Sequence, residues 1–112
     1  MGSSPTRPTN LMYRPLPNVL TVKESSIDGL GIFAKCHIFS GHVLGTTHVL
    51  DFGFPDNMIR TPIGGFINHS DDPNCFLIRE GRRLMLKTKK GIDEGEEITL
   101  CYGQTQELML LP

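Results

Sequence analysis

The chain has 112 residues, enough for one domain that buries about two thirds of its unfolded surface on folding. Eleven basic residues against twelve acidic ones leave a net charge of −1, so no global field draws it toward nucleic acid or an anionic membrane. No apolar run approaches the roughly 18 residues of a membrane span and the N-terminus lacks the apolar stretch of a secretory signal, so the sequence reads as soluble and intracellular.

Residues 1–17 carry prolines at 5, 8, 15 and 17 among Ser and Thr, without the apolar periodicity that would bury them, and read as a flexible leader. A single domain is expected over 18–112. From Asn18 onward the chain breaks into short apolar runs, "VLTVK", "GIFAK", "HVLGTTHVL", "CFLIR", "RLMLKTK" and "EEITLCY", cut by turn residues. Pieces of four to seven residues punctuated in this way predict strands, and the fold class is mostly β. Within "RRLMLKTK" the alternation puts Leu84 and Leu86 on one face and Arg83, Met85, Lys87 and Lys89 on the other. "REGRR" supplies a glycine turn between Phe76–Arg79 and Leu84–Thr88, which predicts a hairpin with one solvated face. The basic residues Arg79, Arg82, Arg83, Lys87, Lys89 and Lys90 lack the interleaved aromatics of a nucleic-acid groove, so a solvated face is the better reading.

"GGFINHSDDPNC", residues 64–75, fits neither helix nor strand, because glycines, a polar triplet and an Asp-Asp-Pro-Asn turn interrupt it in succession. Only "QTQELMLL" near the end has the composition to start a helix. Cys36, Cys75 and Cys101 are odd in number, widely spaced and without a CxxC pair, which predicts half-buried free thiols and neither a disulfide framework nor a metal site.

Three glycine-punctuated stretches call for one explanation: "DGLGIFAK" from Asp28, "GGFINHSDDPNC", and "DEGEEITLCYG" from Asp93. In this order they resemble the SET-domain protein lysine methyltransferases, with "GLGIFA" as the N-terminal glycine motif, "FINHSDDPNC" as the Asn-His-Ser motif and "GEEITLCYG" as the C-terminal Glu-Glu…Tyr motif. The resemblance spans about Val19 to Gly103. It implies a β-clip-like fold of several small sheets with a knot-like C-terminal core, and transfer of a methyl group from S-adenosyl-L-methionine to a lysine of a protein or peptide.

By the same resemblance, Gly29, Leu30 and Gly31 approach the cofactor, Asn68 binds its amino-acid portion, the main chain of His69 meets the adenine edge, and Tyr102 is the catalytic tyrosine. Each has a plainer alternative: a tight turn for the glycines, an Asx-type turn with His69 capping backbone groups, and a tyrosine that ends an edge strand. Asp71 stands where zinc-binding members carry a cysteine, so no metal is expected. The short insert at about Asp51–Ile63 and the absence of flanking modules resemble the minimal viral and bacterial members. In this chain a partner subunit of a homo-oligomer, or the substrate itself, is expected to complete the site, with Phe39, Phe52, Phe54 or Phe66 substituting as aromatic walls. A catalytically weak module that binds cofactor or partner is the alternative function.

Overall fold

The computed structural model describes residues 16–54 and 57–109, so the expected leader lies outside the described residues except for Leu16 and Pro17. In chain order the elements are β1 (Leu20–Glu24), β2 (Leu30–Ala34), β3 (Val43–Leu50), β4 (Met58–Arg60), α1 (Pro62–Phe66), β5 (Asn68–His69), β6 (Cys75–Glu80), β7 (Arg83–Thr88), β8 (Glu97–Leu100) and α2 (Tyr102–Met109). The strands form two sheets of order β1-β2-β8-β5 and β4-β3-β7-β6. All pairings are antiparallel except β5 with β8, where Asn68 lies opposite Thr99 and His69 opposite Leu100.

Alternation decides which face of each sheet is dry. Leu77, Leu84 and Leu86 point inward from β6 and β7 and are buried, while Met85 and Lys87 lie half-buried on the opposite face and Arg83 is exposed there. They join Ile32, Ile98 and Leu100 from the first sheet in one cluster, closed by the Ile38–Ile92 bridge between the connecting loops. The expected hairpin is present: Glu80 pairs with Arg83, leaving Gly81 and Arg82 as a two-residue loop. At the free edge of β6, the Gln104 side chain accepts from the Leu77 N–H at 2.9 Å and donates to the Leu77 carbonyl at 3.1 Å, occupying the edge as a neighbouring strand would.

Three expectations need correcting. Residues 64–69 are not irregular, since Gly64–Phe66 complete α1 and Asn68–His69 form β5. A strong start signal makes the helix: Pro62 opens it, and the Thr61 hydroxyl caps the Gly64 N–H while donating to the Thr46 carbonyl at 2.6 Å. A Cβ on Gly64 would overlap the Thr47 carbonyl, so the glycine lets α1 lie directly on β3. The last strand does not end on a tyrosine; β8 stops at Leu100, and Tyr102 opens α2 because its N–H leaves the ladder for His69 Nδ1 at 3.0 Å. Nor are the thiols uniformly half-buried: Cys36 is exposed, Cys75 buried and Cys101 intermediate.

Candidate functional site

The β1–β2 turn, β5 and β8 meet at Asn68. Its Nδ2 donates to the carbonyls of Asp28 at 3.0 Å and Leu30 at 3.2 Å and to Glu97 Oε2 at 2.8 Å, which fixes the orientation of the amide. Ser25 Oγ reaches both oxygens of the same carboxylate at 2.8 and 2.9 Å. A Cβ at Gly31 would overlap Glu97 Oε2 and stand 3.0 Å from Asn68 Nδ2, so the close approach of β2 to this pair requires glycine. Gly29 adopts φ +46° in the turn and Leu30 is exposed beside it. Of the predicted residues, Gly29, Leu30, Gly31 and Asn68 are thus brought together around one polar knot.

Behind it, Asn74 secures β8. Its Nδ2 donates to the Glu97 carbonyl at 2.7 Å, and its Oδ1 accepts from the Thr99 N–H at 2.9 Å. His69 is placed differently from its neighbours: Nδ1 accepts from Tyr102 N–H, which puts the ring proton on Nε2, facing Asp71 Oδ1 at 2.9 Å. The side chain of His69 therefore caps the first residue of α2, the capping role that the plainer sequence reading allowed.

Tyr102 stands over the end of α1. Its hydroxyl donates to the Ile67 carbonyl at 2.6 Å, and its ring packs against His69 with centroids 5.1 Å apart. Burial and then the charge of Asp28 raise the phenol's pKa, with Arg60 pulling the other way, so at neutral pH the group is a hydroxyl with lone pairs to spare. Of the aromatic substitutes expected for the walls, Phe39 is set apart by an edge-on contact with His37, and Phe52, Phe54 and Phe66 are exposed.

Sequence reasoning passed over Ser25, Asp28, Arg60, Asn74 and Glu97. Glu97 lay within the quoted Glu-Glu…Tyr motif, which was the available signal; Ser25 is 72 residues from it and carried none. Among the described residues, no group of three or more His, Cys, Asp or Glu side chains is arranged to hold a metal ion, and no helix is long and apolar enough to cross a membrane.

The SET domain family model matches residues 47–103, just over half of the chain. The chain belongs to the SET-domain family. Histone-lysine N-methyltransferase SMYD3 of Mus musculus is 44% identical over 41 residues, covering 37% of this chain and 10% of the relative. Ribosomal lysine N-methyltransferase set11 of Schizosaccharomyces pombe is 38% identical over 48 residues, covering 43% and 13%. The chain thus spans a small part of the length of these relatives. The methyltransferase domain of human PR domain-containing protein 2 superposes with a TM-score of 0.63 over 76% of this chain and 77% of that one, and at 21% identity it is a likeness of fold. The SET fold of small, mostly antiparallel sheets places the Asn68 knot and Tyr102 at neighbouring ends of β5.

Proposed function

We propose that this SET domain is an S-adenosyl-L-methionine-dependent protein lysine N-methyltransferase. The observation that carries the reading is the convergence of Gly31, Asn68 and Glu97 beside a tyrosine hydroxyl. With Nδ2 saturated, Asn68 retains Oδ1, for which the described residues supply no donor, in a residue only 8% exposed. That acceptor and the half-buried Glu97 carboxylate suit a ligand that brings an ammonium and a positive charge, and the missing Cβ at Gly31 lets β2 close on the pair. Gly29, Leu30, Gly31, Asn68 and the main chain of His69 would hold the cofactor, which when bound supplies an electrophilic methyl group on a sulfonium.

The remaining chemistry belongs to the chain. Tyr102 holds its proton on the Ile67 carbonyl and keeps a lone pair for an N–H of the substrate lysine, orienting the amine for in-line attack. No covalent enzyme intermediate is required, so a nucleophile and base pair is not needed. The reactive amine must be neutral, which desolvation and nearby positive charge both favour.

Isothermal titration with S-adenosyl-L-methionine, followed by single-turnover transfer of labelled methyl to lysine in a peptide array, tests this. Saturable binding and label on lysine are expected. Absence of cofactor binding by the folded protein would overturn the proposal, and binding without transfer would favour the catalytically weak module.

A further inference from the structure

Ser25 belongs to none of the three motifs and has no part in the proposed chemistry, yet its hydroxyl reaches the polar knot from 72 residues away. It follows directly on β1 and is half-buried. Its N–H donates to the Gly29 carbonyl at 2.8 Å, and the β1–β2 ladder runs on from there, so the turn is closed by main chain without the hydroxyl. Oγ accepts from the Ile27 N–H at 2.9 Å and, at 3.4 Å, faces the Asp28 N–H. Its own proton is therefore left for Glu97, whose two oxygens stand 2.8 and 2.9 Å away.

Glu97 needs that hold. Phe33 stands opposite it in β2, but the carboxylate reaches back over Gly31, where β2 has no side chain to pack on it. Hydrogen bonds must then fix a rotamer-rich side chain that packing does not. Among the described residues the side chains that bond it are Ser25 and Asn68, and Asn68 Nδ2 is shared with the carbonyls of Asp28 and Leu30. Ser25 bridges both oxygens, so it sets the tilt of the carboxylate beside the Asn68 amide. That tilt matters for a ligand ammonium, because charge-assisted hydrogen bonds are directional as well as strong.

Resting on the methyltransferase reading, we infer that Ser25 is a positioning residue of the cofactor site, holding Glu97 for the ammonium of the cofactor's amino-acid portion. It touches no reacting atom and acts through Glu97. Its removal weakens the grip on the amino-acid end of the ligand and leaves the adenosine end unaffected. In Ser25→Ala the exposed Ile27 N–H turns to water and the main-chain closure of the turn remains, so the loss falls on the carboxylate.

The test uses the full chain and calorimetry with two ligands: S-adenosyl-L-homocysteine, and 5′-methylthioadenosine, which keeps the thioadenosine and lacks the amino acid. Neither measurement depends on turnover, and urea unfolding of each variant is recorded alongside. Ser25→Ala is expected to weaken the first ligand about three- to tenfold and the second by less than about twofold, whereas a general loosening of the turn would weaken both alike. Added to Glu97→Ala, the same substitution should cost no more than about twofold further, because the group it positions is gone. Either comparison is decisive by itself, should a variant not fold. Unchanged affinity for S-adenosyl-L-homocysteine in Ser25→Ala, an equal loss for both ligands, or a full further loss on top of Glu97→Ala would overturn the inference while leaving cofactor binding by the wild-type chain intact. Failure of the wild-type chain to bind S-adenosyl-L-homocysteine would instead count against the methyltransferase reading.

Discussion

Asn68 spends its two amide hydrogens on three acceptors and keeps its oxygen, so its truncation removes a ligand acceptor together with three contacts of the scaffold. Asn68→Ala removes a bond to a charged ligand, worth about 1.5–3 kcal/mol, and leaves the Glu97 carboxylate with Ser25 as its side-chain partner among the described residues. Affinity for S-adenosyl-L-methionine is expected to fall about tenfold or more by calorimetry; unchanged affinity in a folded variant would remove Asn68 from the site. Tyr102→Phe has a different signature. The ring stays against His69, so cofactor affinity holds, while single-turnover transfer is expected to fall about a hundredfold, or roughly 2.7 kcal/mol of transition-state stabilisation. Equal rates for the two proteins would take the hydroxyl out of the chemistry.

At the scale of elements, the contact of α1 with β3 sets how the tyrosine's acceptor is presented. The two glycines of the helix provide an internal comparison. Gly64→Ala drives a methyl into the Thr47 carbonyl and is expected to cost about 1–3 kcal/mol in spite of alanine's helix propensity. Gly65→Ala meets nothing within 4 Å and should be neutral or stabilising. Chemical denaturation of the pair checks this, and equal stabilities would mean that α1 is not seated against β3 as described. The glycine run reads as irregular in the sequence because low helix propensity there is a local property. The reason for glycine is a carbonyl 17 residues upstream (64 − 47), and only the fold brings it near.

For the whole molecule, stability should lean on pH through one buried imidazole. Thr47 Oγ1 donates to the Leu84 carbonyl at 3.1 Å, so His48 Nδ1 is the donor to Thr47 at 2.8 Å. Burial, and then Arg60, pulls its pKa from 6.5 to about 4. Between those values the unfolded chain binds the extra proton, so stability is full above pH 6.5 and falls as the pH drops toward 4, by roughly 3 kcal/mol. Urea unfolding across that range should show the slope, and His48→Gln should flatten it. A metal contribution is not expected: with no ligand cluster among the described residues, a chelator should leave the melting temperature unchanged, and one zinc per chain by elemental analysis would contradict this.

Local pattern by itself determined the strand character, the wet and dry faces of Leu84–Lys87 and the β6–β7 hairpin, because a period of two and a glycine turn act over neighbouring residues. The order of three motifs likewise carried the SET family and the positions of Gly31, Asn68 and Tyr102. The tertiary structure alone decided that Ser25, Asp28 and Glu97 converge on Asn68, and that His69 caps α2 with its ring. Asn68 is 40 residues from Asp28 and 29 from Glu97, and Ser25 is 72 from Glu97. A polar side chain announces that it needs a partner, but which partner it finds depends on how the two sheets close over their shared core.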